Sequence, residues 1–175
     1  VHEADLVAVR LAEVPRIVVG APTLWPEGAP APAMAGLDAL PWLALTTFYR
    51  DTVLLTEPAT GEEHRFAIRP RLSTDSLYAL RNAALAGLGA ALVSAWMVAE
   101  DIAAGRLLAL APGWEATPQP VHLVYPGARF HPPRLTRFIE HMREHMPRMP
   151  GVRPPSRASA LPSGDGPAPP RRRRA

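Results

Sequence analysis

The most explicit chemical pattern in the chain is His141-Met142-Arg143-Glu144-His145. Two histidines four residues apart share a helix face and could ligate zinc, with Glu144 as a base. A catalytic zinc needs a third protein ligand, and the only acid downstream is Asp165, in a Pro/Arg-rich tail. The pair therefore reads as a solvated helix face. Gly87-Leu88-Gly89 resembles part of a phosphate loop, but it follows a helical pattern rather than a strand and lacks the third glycine. It reads as a helix stop and a tight turn. Ser94 lacks the flanking glycines of a nucleophile elbow. It reads as an ordinary serine where a strand turns into a helix, with capping as one role open to it. Trp25, Trp42, Trp96 and Trp114 are scattered and not interleaved with arginines, which argues against a stacking platform for single strands.

What remains is binding chemistry. Ser73-Thr74-Asp75-Ser76 is the polar quartet of a helix start, where free N–H groups and the positive end of the dipole face outward. Thr46 and Thr47 close an apolar run with two small hydroxyls. In an open α/β sheet, ligands sit beyond the carboxyl ends of strands, and there the two segments can converge. Plain capping accounts for the same residues without a ligand. A separation of more than about 15 Å between Thr46 and Asp75 would exclude a shared small-molecule site.

The elements that must hold these residues follow from periodicity. Leu6–Leu11 and Ile17–Val19 read as strands on either side of Val14-Pro15, and Leu43–Thr47 as another. Val53–Thr56 and His64–Ile68 form a hairpin around Thr60-Gly61. A helix follows from Leu77 to Leu88, then a buried strand Ala90–Val93 and a helix Trp96–Ala104 stopped by Gly105. Arg106–Leu110 and Val121–Tyr125 are two more strands. The last helix, Pro132–Met146, carries one apolar stripe of Leu135, Phe138, Ile139, Met142 and Met146. Residues 20–36 are too rich in proline and glycine for a regular element. Alternating strands and helices imply an α/β fold. No helix-turn-helix is visible, since a strand separates the two helices around Gly87.

Composition narrows the class further. The chain has 175 residues, no cysteine, and 19 basic residues that are all arginine. Disulfide frameworks, cysteine-ligated zinc and thiol nucleophiles are excluded. No apolar run is long enough for a membrane helix. The basic character belongs to residues 151–175, read as a disordered, solvated tail ending in Arg171–Arg174, while residues 1–150 are slightly acidic. A hydrolase would need a clustered nucleophile and base that the sequence does not offer, so an enzyme is not expected, and no cofactor or metal is expected.

The order of the motifs resembles the LysR-type transcriptional regulators. Asp5-Leu6-Val7-Ala8-Val9-Arg10 is similar to the family's D-x-A-[IV]-R strand. Gly36–Pro41 is similar to its dL…hP segment, and Ala83–Val93 to its helix ending in a-G-x-G before a short strand. Trp96–Leu107 follows the w.v..dl..G.L pattern. Trp114-Glu115, Val121–Pro126 and Arg134–Ile139 complete the series, which spans about residues 3–147. The resemblance implies a periplasmic-binding-protein-like (type 2) effector domain in which one lobe is nearly complete and the other partial. Residues 1–17 and 123–150 would belong to lobe one and 18–122 to lobe two, with the winged helix-turn-helix and most of lobe one absent. The implied partners are a small-molecule effector and, through the absent helix-turn-helix, DNA. The whole protein would be a cytoplasmic homo-oligomer with no membrane contact. Thr46, Thr47, Ser73, Thr74, Asp75 and Ser76 would line the half-cleft. Asp75 stands where asparagine is frequent, which disfavours an anionic effector, Ser94 stands where proline is usual, and Val53-Leu54 replaces a frequent tryptophan. The alternative is a stand-alone or extracytoplasmic solute-binding lobe.

Overall fold

The computed structural model describes residues 6–25, 34–127 and 130–156. Its backbone is a mixed sheet in the order β5-β2-β6-β1-β7, with β8 paired to β1. The strands are β1 (Leu6–Gly20), β2 (Trp42–Leu45), β5 (Pro70–Thr74), β6 (Ala90–Ser94), β7 (Leu108–Leu110) and β8 (Ala116–Pro126). β2 runs parallel to both β5 and β6, whereas β1 is antiparallel to β6, β7 and β8. A separate hairpin joins β3 (Thr52–Thr56) to β4 (Glu63–Ala67) at the expected place.

The sequence predicts two strands interrupted at Pro15; the structure has one strand of 15 residues. Pro15 is tolerated because it falls at a register shift between Val14 and Arg16 against β8, where no ladder N–H is required. A second shift between Arg10 and Ala12 bends the same strand. β1 therefore has two halves. Residues 6–14 pair with β8 as a two-stranded ribbon, and residues 16–20 also enter the sheet beside β6 and β7. β8 likewise runs longer than expected, starting at Ala116 and passing through Pro118 and Pro120.

The core lies on the sheet half of the chain. Val18, Val19, Trp42, Leu43, Leu55, Leu80, Ala91, Val98, Leu107 and Leu110 are buried together. α1 (Leu77–Leu85) presents Leu80, Ala83 and Ala84 to it, and α2 (Ala95–Ala103) presents Val98. Both helices end in the same way. Gly87 N–H donates to Ala84 O and Leu88 N–H to Ala83 O; Gly105 N–H donates to Ile102 O and Arg106 N–H to Asp101 O. That pairing is the Schellman closure, with Gly87 and Gly105 in the left-handed region it requires. The GLG stretch is thus the expected helix stop.

α3 (Pro133–His145) lies against β1, as expected, but none of its residues is fully buried. Leu135, Ile139 and Met142 are half-covered and Phe138 remains exposed. His141 and His145 stack on its outer side, and no group of three metal-ligating residues occurs among the described residues. Of residues 20–36, Pro22–Leu24 and Met34–Gly36 form short 3-10 turns, while 26–33 lie outside the described residues. The expected solvated tail does not begin at residue 151. Residues 151–156 are hydrogen-bonded to β1, because a buried acid there needs cations and N–H donors. Residues 157–175 lie outside the described set. Among the described residues, no helix is long and apolar enough to cross a membrane.

Candidate ligand-binding site

The parallel strands β5, β2 and β6 end side by side at Thr74, Leu45 and Ser94. The register pairs Leu45 with Thr74. Thr46 N–H donates to Thr74 O at 2.9 Å, and the Thr46 hydroxyl donates to the same oxygen at 3.3 Å. Thr46 and Asp75 each follow a paired residue, so they lie well inside the ~15 Å limit that a shared pocket allows. Thr46 and Thr74 are half-buried; Thr47, Ser73, Asp75 and Ser76 are exposed.

The helix start is shorter than the sequence suggests. Ser73 and Thr74 belong to strand β5, because their backbones complete the parallel ladder to β2. The Thr74 hydroxyl accepts from Ser76 N–H at 3.1 Å, closing the turn. Ser76 is the N-cap, its hydroxyl accepting from Ala79 N–H at 3.3 Å. No acidic side chain occupies the first turn of α1, although Asp75 immediately precedes its N-cap.

Ser94 stands where the sequence places it, at the turn from β6 into α2. It stands at the N-cap of α2 but makes no side-chain cap. It is buried, and its hydroxyl donates to Gln119 Oε1 at 3.2 Å.

The structure adds Arg16, Phe48 and Gln119 to this edge, which sequence reasoning missed. Arg16 lies directly opposite Ser94 in the antiparallel register. Its Nε donates to Thr117 O at 2.9 Å, and its guanidinium lies 5.3 Å from the centre of the Phe48 ring. Phe48 follows the Thr46-Thr47 turn, so strand-end hydroxyls and guanidinium share one rim. Arg16 is half-buried, and among the described residues no carboxylate pairs with it. Burial lowers its pKa, only partly opposed by Tyr49, yet an arginine remains charged. The available signal was a lone cation inside the apolar run Val14–Val19, at the mouth of a buried strand. Beneath the rim, Tyr49 is buried; its hydroxyl donates to Leu43 O at 2.7 Å and accepts from Leu92 N–H at 2.9 Å. Burial pushes that phenol strongly upward, so it stays protonated.

Helices packed on a mixed sheet with parallel strands ending at a shared carboxyl edge are consistent with a periplasmic-binding-protein-like (type 2) fold. The LysR substrate binding domain model matches residues 1–147, and the chain belongs to that family. Two curated relatives come from Pseudomonas aeruginosa. The HTH-type transcriptional regulator PtxR is 39% identical over 82 residues, covering 47% of this chain and 26% of the relative. An HTH-type transcriptional repressor is 32% identical over 83 residues, with the same coverage of 47% and 26%. The chain thus matches about a quarter of each relative's length. The regulatory domain of AphB from Vibrio vulnificus superposes with a TM-score of 0.65 at 25% identity, covering 80% of this chain and 69% of that one. The CrgA regulatory domain of Neisseria meningitidis shares the fold, with a TM-score of 0.60 at 22% identity, covering 82% of this chain and 71% of that one.

Proposed function

We propose that this chain is the effector-sensing part of a LysR-type transcriptional regulator. Residues 18–122 would form one lobe, and residues 1–17 with 123–150 would contribute to the other. Thr46, Thr47 and Ser73–Ser76 form the hydroxyl-rich side of the effector site, and Arg16 supplies its charge. The observation that carries this reading is a half-buried, acid-free guanidinium on the same strand-end edge as the Thr46 hydroxyl. A small effector bearing an anionic group, such as a carboxylate, suits that edge. Asp75, the residue that argued for the opposite charge, follows the end of β5, a strand three places from β1 in the sheet and about 14 Å from it at ordinary strand spacing. Binding would bias lobe closure only as far as the effector's affinity differs between closure states.

The whole protein would act on DNA through a helix-turn-helix, as a homo-oligomer in the cytoplasm. Its role would be regulatory rather than enzymatic, in keeping with the family it matches. The relatives named above are transcriptional regulators, which supports this reading over a free-standing solute carrier.

The test is calorimetry or thermal-shift binding of small mono- and dicarboxylates and their neutral amides. Carboxylates are expected to bind preferentially. Arg16→Gln should weaken the best of them about ten- to a hundred-fold, the value of one charge-assisted contact. Equal binding of acids and amides, or an unchanged Kd in Arg16→Gln, would remove Arg16 from the site.

A further inference from the structure

Glu13 lies in the middle of β1 with no exposed surface. Its carboxylate is held by residues far along the chain. Oε1 accepts from Ser156 N–H and from the Ser156 hydroxyl, each at 2.8 Å, and pairs with Arg10. Oε2 accepts from Arg153 Nε at 3.3 Å. The backbones also exchange two bonds, Glu13 N–H to Arg153 O and Arg153 N–H to Glu13 O, both at 2.9 Å. Arg153 reaches onward to chelate Glu115, with Nη1 at 2.9 Å and Nη2 at 2.6 Å from its two oxygens. Glu115 is in turn paired through its backbone to Thr56 at the end of β3.

Upstream, Gly151 passes directly over the start of α2. A Cβ at Gly151 would sit 2.3 Å from Trp96 N, and the residue has a φ of 71°. Only glycine fits both demands. Residues 149–156 therefore run from the end of α3 across α2, β1 and the β3–β8 contact.

Where this segment crosses β1 is informative. Glu13 stands just before the bulge at Pro15. On one side of it β1 pairs only with β8, beside α3; on the other it enters the sheet. The crossing segment is held by polar bonds rather than by burial. Pro154, Pro155 and Ser156 are exposed, and an open groove of about 310 Å³ bounded by Thr56, Pro58, Thr117 and Arg153 runs beside it. Such a contact can open locally without unfolding the core.

We propose that residues 149–156 are an intramolecular strap that fixes the angle between the β1/β8 ribbon with α3 and the sheet. The Glu13–Arg153–Glu115 cluster is its latch. Arg16, three residues beyond Glu13, lies at the same joint, so the latch state sets where that guanidinium sits relative to the strand-end hydroxyls. The strap itself does not depend on the effector reading.

Backbone hydrogen–deuterium exchange on the full chain tests it with two independent variants, Arg153→Gln at the latch and Gly151→Val at the crossing over α2. Each should accelerate exchange in residues 6–14 and 119–126 by tenfold or more, while β2 and β6 keep wild-type protection. Equal acceleration in β2 and β6 would make the segment ordinary packing and overturn the proposal. Unchanged exchange in the ribbon would overturn it as well. Arg153→Lys, which keeps the charge, should restore part of the protection.

Discussion

Asp101→Asn is the substitution whose effect the structure specifies most closely. Asp101 has no exposed surface and belongs to α2. Its carboxylate accepts Arg81 Nε at 2.6 Å and Nη2 at 2.8 Å from α1. It also accepts Arg106 Nε at 3.0 Å and Nη2 at 2.7 Å from beyond Gly105. Burial would raise its pKa, but the hydrogen bonds and charges of Arg81 and Arg106 outweigh it and hold the group below its ordinary 3.8. An amide keeps one acceptor and turns an NH2 toward a guanidinium. Stranding a fully buried partner costs about 3–5 kcal/mol. Here the arginine side chains are 26% and 54% exposed and can turn to water, so a loss of about 2–4 kcal/mol is expected. Urea denaturation followed by tryptophan fluorescence measures it.

The pH dependence adds a second readout. A carboxylate depressed in the folded state contributes stability that is present above its unfolded value of 3.8 and is lost as pH falls through the lower folded value. The difference between wild type and Asp101→Asn should therefore close in that acid range. A loss under about 1 kcal/mol at neutral pH, within the range of ordinary surface changes, or a gap that persists in acid, would refute the reasoning. Because α1 and α2 both begin on the proposed ligand edge, after Ser76 and Ser94, the same variant should also weaken effector binding.

Further expectations are simpler. Ser76→Ala removes the cap of α1 and should cost about 1 kcal/mol in the same urea assay. Tyr49→Phe strands Leu92 N–H and Leu43 O in the core, for an expected loss of about 1–3 kcal/mol. Thr46→Val should leave stability nearly unchanged, since Thr46 N–H keeps its bond to Thr74 O, but should weaken carboxylate binding measured calorimetrically.

Much of the fold is legible in the sequence because its signals are local. The stripe of α3, the glycine stops of α1 and α2, and the hairpin around Thr60-Gly61 each follow from periodicity or turn chemistry within a few residues. The register that joins Thr46 to Thr74 is not local. The sequence points only to a meeting of the two segments beyond the strand ends, not to that register. Three further features were not legible. Pro15 reads as a break, yet a bulge absorbs it. Ser73 and Thr74 read as a helix start, yet the ladder to β2 extends the strand through them. Residues 151–156 read as solvated because their composition is polar and proline-rich, whereas their order comes from Glu13, about 140 residues away in sequence. Glu13 has one nearby partner in Arg10, but nothing in its neighbourhood points to Arg153 or Ser156.

The distribution of charge at the β1 joint connects the ligand edge with the strap. On an undistorted strand, residues three apart point to opposite faces. The register shift between Arg10 and Ala12 relaxes that alternation, and Arg10 reaches Glu13. Glu13 is thereby satisfied from Arg10, Arg153 and Ser156, and Glu115 from Arg153. The two acids at the joint are committed to other cations, and Arg16 keeps only a carbonyl and an aromatic face among the described residues. A ligand anion there meets a guanidinium that no protein carboxylate competes for. The two proposals therefore separate by experiment. Arg16→Gln should change affinity and leave ribbon exchange alone, whereas Arg153→Gln should change ribbon exchange first and affinity only through the position of Arg16. If Arg16→Gln instead loosened the ribbon as much as Arg153→Gln does, Arg16 would be a structural member of the joint, and the anion would have to be sought elsewhere on the edge.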